Sequence, residues 1–235
     1  MEDAMPDQHP LDRVVWRALS STQNAIALGD YRAWRYAPSM TAFGAMPDSS
    51  AGSFDALRAL IEASGPVALV ETNEVFAPAG ISVVRRGTLL QMVWEGASHE
   101  PRKSRALQHV TLGQADVPDM LALAAATQPG PFGPRTVELG RYLGMRESGK
   151  LVAMAGERMR LDGYTEISAV CVDESARGRG YAAGLMNALI DSIAARGEKP
   201  FLHVFTSNRT AIGLYRALGF VERRMLHLTV LGPQA

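Results

Sequence analysis

The sequence predicts a mixed α/β fold of the α+β class. Three observations predict it. Short apolar runs that read as strands alternate with amphipathic helical segments along the whole chain. Two tight-turn signals, Glu147-Ser148-Gly149 and Leu161-Asp162-Gly163, join successive strands of the second half as antiparallel neighbours. Apolar residues make up 47% and charged residues 20% of 235 residues, the balance of a folded chain with enough length to bury a core.

Composition also excludes several classes. Lys+Arg and Asp+Glu are both 24, so the formal charge is zero and no general affinity for nucleic acid or an anionic membrane is expected. The single cysteine, Cys171, permits no disulfide framework or cysteine-based zinc cluster. The five histidines, His9, His99, His109, His203 and His227, fall in no metal-binding spacing, so no metal is expected. The acidic start lacks a following apolar region, and no run reaches the roughly 20 apolar residues that span a bilayer. A cytoplasmic protein is the expectation.

In the first half, residues 11–28 carry apolar side chains at mixed spacing (Leu11, Val14, Val15, Ala18, Leu19), consistent with a helix. Trp34, Tyr36, Met40 and Phe43 lie in a stretch punctuated by Pro and Gly. Phe54 to Ala63 is amphipathic, with Phe54, Leu57, Leu60 and Ile61 on one side, and Gly65-Pro66 ends it. Val67 to Val70, Ile81 to Val84 and Leu89 to Val93 read as strands. The polar run Ser98 to Arg105 marks a boundary, giving an N-terminal α/β domain over 1–104 and a second domain over 105–235. The two halves share a rough helix-then-strands grammar, as expected if the first is a degenerate copy of the second.

The second half opens with a strand, Leu107 to Leu112, and a helix from Gln114 to Ala126. Gln128 to Pro134 is a loop of helix breakers. A hairpin over Arg141 to Arg160 and a strand over Tyr164 to Val172 follow. Arg177-Gly178-Arg179-Gly180-Tyr181-Ala182-Ala183 then precedes a helix whose Ala182, Leu185, Met186, Leu189, Ile190 and Ile193 share one face. Two glycines at a helix N-terminus let successive backbone N–H groups point outward, and the helix dipole adds positive charge there. Arg177 and Arg179 add charge at the rim of this phosphate cradle. After it come a strand, Phe201 to Phe205, a helix from Asn208 to Leu218, and a strand from Phe220.

Gly178-x-Gly180-x-x-Ala183 fits the dinucleotide fingerprint, with Glu198 near the place of a ribose-binding acid. The context is wrong for it. Asp173 to Arg177 intervene after the strand, and Glu198 precedes the next strand instead of ending it. Arg177-x-x-Gly180-x-Ala182 together with Asn208-x-x-Ala211-x-x-Leu214-Tyr215-x-x-x-Gly219-Phe220 resembles the two signatures of the GNAT superfamily of acyl-CoA-dependent N-acyltransferases. The resemblance covers roughly residues 105–235.

The resemblance implies a mostly antiparallel central sheet splayed between its fourth and fifth strands, here Glu166 to Val172 and Phe201 to Phe205. It implies acetyl-CoA (coenzyme A) as donor. The pyrophosphate would lie on the amides of Arg177, Gly178, Arg179, Gly180, Tyr181, Ala182 and Ala183. The pantetheine arm would lie along Val170, Cys171 and Val172 and beside Asn208, with an amide near Val170 polarising the thioester carbonyl. Tyr215 would protonate the departing thiolate. Glu166, a carboxylate in an otherwise small or apolar strand, is the expected base for the acceptor amine; its bland alternative is a carboxylate pairing an arginine. Cys171 reads as an inert buried thiol, His203 as a satisfied histidine, and Arg223-Arg224 as a solvated face.

The implied function is N-acetyl transfer to a primary amine by direct attack in a ternary complex. The alternative is a non-catalytic acyl-CoA-binding or sensor module on the same fold. A small-molecule, peptide or protein amine is the expected partner, with no nucleic acid or membrane, for a monomer or homodimer. The acceptor would lie against Thr127 to Tyr142, where Phe132 and Tyr142 are candidate lining residues, and the stretch after Phe220.

Overall fold

The structure, a computed structural model, describes residues 9–96 and 108–234. The expected boundary at Ser98 to Arg105, and with it the 104/105 division, lies outside the described residues. In chain order the elements are α1 (Val14–Ser20), β1 (Ala27–Asp30), β2 (Ala33–Tyr36), β3 (Gly44–Ala45), α2 (Ala51–Ser64), β4 (Val67–Glu71), β5 (Ile81–Trp94), β6 (Val110–Leu112), α3 (Val117–Thr127), β7 (Tyr142–Glu147), β8 (Lys150–Leu161), β9 (Tyr164–Val172), α4 (Tyr181–Ala194), β10 (Lys199–Phe205), α5 (Arg209–Ala217) and β11 (Phe220–Pro233). They form two compact units. One takes the chain up to Ala37, Ala42–Thr88 and the end from Met225; the other takes Pro38–Thr41 and Leu89–Arg224.

In the first unit, the helix expected over residues 11–28 stops at Ser20. The hydroxyls of Ser20 and Ser21 donate to the carbonyls of Trp16 and Arg17, competing with the backbone at the helix end. Strands β1, β2 and β3 form a small antiparallel sheet. Helix α2 begins at Ser50, whose hydroxyl accepts from the Ser53 amide, and stops at Gly65, whose φ of 80° suits glycine. Arg35 is fully buried there. Its guanidinium donates to the carbonyls of Tyr36, Leu60, Gly65 and Pro66, tying β2 to the end of α2 and the turn after it. Strand β4 pairs antiparallel with β11 from Val67↔Leu231 to Glu71↔His227. Phe54, Leu57 and Ile61 of α2 pack with Val67, Leu69 and Leu231. The two strands expected at Ile81–Val84 and Leu89–Val93 are one strand, β5. The exposed Arg85-Arg86 pair does not break it, because an antiparallel strand tolerates a wet face.

In the second unit, β10 pairs antiparallel with the end of β5 and parallel with β9, while β8, β7 and β6 follow in antiparallel order. Within this unit's described strands only β9 and β10 run parallel, which overturns the dinucleotide-binding alternative, since that fold is a parallel sheet. The apolar stripe of α4 (Leu185, Met186, Leu189, Ile190, Ile193) covers one face of the sheet with Ala153, Ile167 and Leu202. Helix α3 covers the other face with Leu112, Met154, Ala169 and Cys171. On that face Gly156 accommodates the Tyr142 ring, which lies 2.3 Å from where a Cβ would stand.

Candidate active site

Strands β9 and β10 run in the same direction, so their C-terminal ends lie together. Their pairing stops at Glu166↔Phe201, although β9 continues to Val172 and β10 to Phe205. Beyond that pair the two strands part, forming the expected splay. The loop after β9 carries Arg177 to Gly180, and the loop after β10 carries Asn208. Both open at the same end.

A second irregularity sits in β9. Ile167 joins the α4-side core, as a residue two before Ala169 on a regular strand would predict for Ala169 too. Yet Ala169 and Cys171 belong to the α3-side cluster, while Val170 and Val172 pack on the α4 side. The phase slips by one residue. Pairing with β8 shows the same slip, from Met154↔Cys171 to Gly156↔Ser168, and Ala169 takes a left-handed φ of 52°. This is a β-bulge, which locally disrupts the ladder between β8 and β9 at Ala169 and Val170.

At the start of α4, Gly178 and Gly180 have φ of 77° and 80°, and a Cβ at either would meet open space. Glycine is needed for the backbone conformation, not for lack of room. The first bond of the helix runs from the Gly184 amide to the Gly180 carbonyl, so the amides of Tyr181, Ala182 and Ala183 precede the helical ladder. Arg177 is exposed and makes no ion pair among the described residues. Arg179 and the Tyr181 hydroxyl both bind Glu147 of the β7–β8 hairpin, at 2.7 and 2.6 Å, which ties the loop to the sheet. Unpaired amides, an open front and an unspent arginine fit a diphosphate.

Asn208 caps α5: its side-chain oxygen accepts from the Ala211 amide at 3.1 Å. The amide nitrogen of that side chain makes no hydrogen bond among the described residues. Tyr215 packs in the α4-side core against Phe220, ring centres 6.2 Å apart. Burial pushes its phenol up to about 12, with the Cys171 thiol a smaller influence, so the hydroxyl stays protonated at neutral pH. Burial likewise pushes the Cys171 thiol up to about 11, and a proton on sulfur makes a poor nucleophile.

Glu166 occupies the last paired position of β9, at the vertex of the splay, and is fully buried. Burial alone would raise its pKa. The Arg158 charge, with hydrogen bonds from Arg158 and His203, outweighs that and holds the carboxyl at about 2. Arg158 binds it in bidentate fashion at 2.8 and 2.7 Å. His203 Nδ1 lies 2.8 Å from its Oε1. His203 Nε2 lies 3.0 Å from Gln91 Nε2, and Gln91 Oε1 accepts from Arg223 at 2.6 Å. Gln91, His203 and Glu166 each alternate with residues of the α4-side core, so this chain of polar groups runs across the α3 face. Arg223, expected on a solvated face, is half-buried and belongs to the network; Arg224 is exposed. His203 is satisfied, as expected, but its partner is the very carboxylate singled out as a base. Sequence reasoning missed that Arg223, Gln91 and His203 form a chain that ends, with Arg158, on Glu166, since Gln91 and His203 are 112 positions apart.

Comparison with solved structures aligns nearly the whole molecule with one relative. A GNAT-family protein from Novosphingobium aromaticivorans is 40% identical, covering 97% of this chain and 100% of its own, with a TM-score of 0.88. The chain belongs to the GNAT family. The family model described as FR47-like protein matches residues 142–227, from β7 into β11, and so contains both GNAT signatures described above. Among curated relatives, N-alpha-acetyltransferase RimI of Mycobacterium tuberculosis is 39% identical over 99 residues, covering 40% of this chain and 61% of that one. The [ribosomal protein bS18]-alanine N-acetyltransferase of Escherichia coli K12 is 36% identical over 85 residues, covering 35% of this chain and 57% of its own. The chain thus spans about three-fifths of the length of each of these two curated relatives. The GNAT fold accounts for the splay of β9 and β10, and among the described residues no helix is long and apolar enough to cross a membrane.

Proposed function

We propose that this protein is an acetyl-CoA-dependent N-acetyltransferase acting on a primary amine, with the α-amino group of a peptide or protein N-terminus as the favoured acceptor. The observation that carries the reading is the conjunction of the splay after Glu166↔Phe201 with the bulge at Ala169 and the open amide cradle at the start of α4. The names of the curated relatives support the acceptor class, since one is an N-alpha-acetyltransferase and the other a [ribosomal protein bS18]-alanine N-acetyltransferase.

In this reading Arg177 and the amides of Gly178 to Ala183 hold the diphosphate of coenzyme A, and Asn208 donates to the pantetheine arm lying along Val170, Cys171 and Val172. Acetyl-CoA supplies an activated acyl group as a thioester. The Val170 amide offers a fixed donor to negative charge growing on the acyl oxygen, and a fixed donor costs no reorganisation at that moment. Tyr215 keeps its proton until it can donate to the leaving sulfur. The base is reassigned. A carboxyl held at about 2 and already filled by Arg158 has little tendency to take a proton from an ammonium group. We assign to Glu166 the work of orienting His203, and to His203 Nε2 the work of accepting the amine proton. An α-amino group, with an ordinary pKa near 7.7–8.0, is better matched to an imidazole base than a lysine near 10.4.

The test is thiol release from acetyl-CoA in the presence of an alanine-initiated peptide. Turnover is expected, with Tyr215→Phe lowering kcat about 100-fold at unchanged coenzyme A binding. Tight binding of coenzyme A without thiol release for any amine would instead establish the sensor module.

A further inference from the structure

We propose that Gln91 and Arg223 are positioning residues for the base: Arg223 fixes the orientation of the Gln91 amide, and Gln91 thereby keeps His203 unprotonated at Nε2 until the acceptor amine takes its place. This rests on the reading of His203 as the base.

The assignment follows from polarity. A guanidinium only donates, so the Gln91 atom 2.6 Å from Arg223 Nη1 is the amide oxygen. A reversed amide would set its NH2 against the guanidinium, two donors with no acceptor. The Gln91 nitrogen therefore faces His203 Nε2, 3.0 Å away, and donates to it. A ring nitrogen that accepts carries no proton, so the ring proton is on Nδ1 and is donated to Glu166 Oε1 at 2.8 Å. Arg158 closes the far end on the same carboxylate. Two arginines, one at each end, thus set the direction of every hydrogen bond between them.

The two neighbours of the ring play opposite parts. Glu166 accepts at Nδ1, and the Gln91 NH2 donates at Nε2, where a protonated nitrogen would face a donor. The other titratable groups near the network add no charge to this balance: burial pushes the Tyr142 phenol of β7 and the Cys171 thiol of β9 upward, so both stay protonated, and Glu157 of β8 is paired with Arg196. Phe201 contributes a T-shaped ring contact, its ring centre 5.6 Å from that of His203. An acceptor amine is itself an N–H donor. It replaces the Gln91 amide at Nε2 without reversing any other bond, and the proton it loses passes to Nε2 along the bond just formed.

The experiment compares Gln91→Glu and Arg223→Met with the wild-type protein by two readouts. One is the NMR titration and tautomer of the His203 imidazole in the free protein; the other is the pH profile of kcat/KM with acetyl-CoA and the alanine-initiated peptide. The wild-type ring is expected as the Nδ1-protonated tautomer. Gln91→Glu sets a carboxylate against Nε2, so the ring titration and the acid limb of the profile both move up by about one pH unit, a loss of about tenfold on the acid side that is recovered at alkaline pH. Arg223→Met, which frees the amide to reverse, moves both the same way by less. A wild-type ring protonated at Nε2, or a uniform loss of rate at every pH with an unmoved ring titration, overturns the proposal. A ring titration that moves while the acid limb stays put overturns the assignment of His203 as base and leaves the tautomer assignment standing.

Discussion

Arg158 and Glu166 show how a buried charge is made tolerable. Both side chains are almost sealed from water, at 8% and 0% exposure, so each depends on the other for its solvation. Arg158→Met leaves Glu166 with only His203 and the weak Met159 amide contact at 3.4 Å. The expected cost is about 3–5 kcal/mol, read by urea denaturation. The wild-type pair also carries a pH signature. The folded pKa of Glu166 lies at about 2, below its ordinary 4.5. Its contribution to stability is therefore complete above pH 4.5 and lost as pH falls toward 2. The carboxylate stands out in the sequence for its apolar strand. That Arg158 and His203 bind it, with Gln91 and Arg223 behind His203, depends on residues from β5, β8, β10 and β11, which no local pattern connects.

At the scale of elements, the site depends on the places where β9 and α4 depart from regularity. The bulge requires Ala169 at a φ of 52°, tolerable for alanine at a modest cost and poor for a β-branched side chain. Ala169→Val is expected to lower stability by about 1–3 kcal/mol and to reduce turnover through the displaced Val170 amide. Ala169→Gly, which accepts that φ freely, is expected to keep turnover. Denaturation midpoints and initial rates for the two variants check this. The α4 loop was legible from residue types, because glycines before an amphipathic helix have few other uses. The bulge was not: Tyr164 to Val172 reads as an uninterrupted strand, and only the cores on its two faces reveal the slipped phase.

For the molecule as a whole, the pH window of stability has a second edge in the other unit. Glu71 ends β4 opposite His227. Burial raises its pKa from 4.5 to about 7, with Arg13 opposing weakly. A carboxyl whose folded pKa is raised contributes stability below pH 4.5 and loses it as pH rises through 7. Glu71→Gln is accordingly expected to raise the melting temperature at pH 8 and leave it unchanged at pH 4, which differential scanning calorimetry would read. With Glu166 limiting stability in acid, the optimum falls between these two edges.

The sequence alone determined the class of fold, the amide cradle from Arg177 to Ala183, the cap at Asn208 and the placement of Tyr215 on the inner face of its helix. All of these are local: a period of 3.6, a glycine before a helix, or an asparagine at its start is readable within a dozen residues. Tertiary structure alone decided that β5 runs unbroken, that β11 serves both units, that β9 slips by one residue, and that Glu166 is bound by Arg158 and His203. Those outcomes turn on which strands lie side by side, and hydrogen-bond polarity across a sheet is fixed by neighbours that the order of residues keeps far apart.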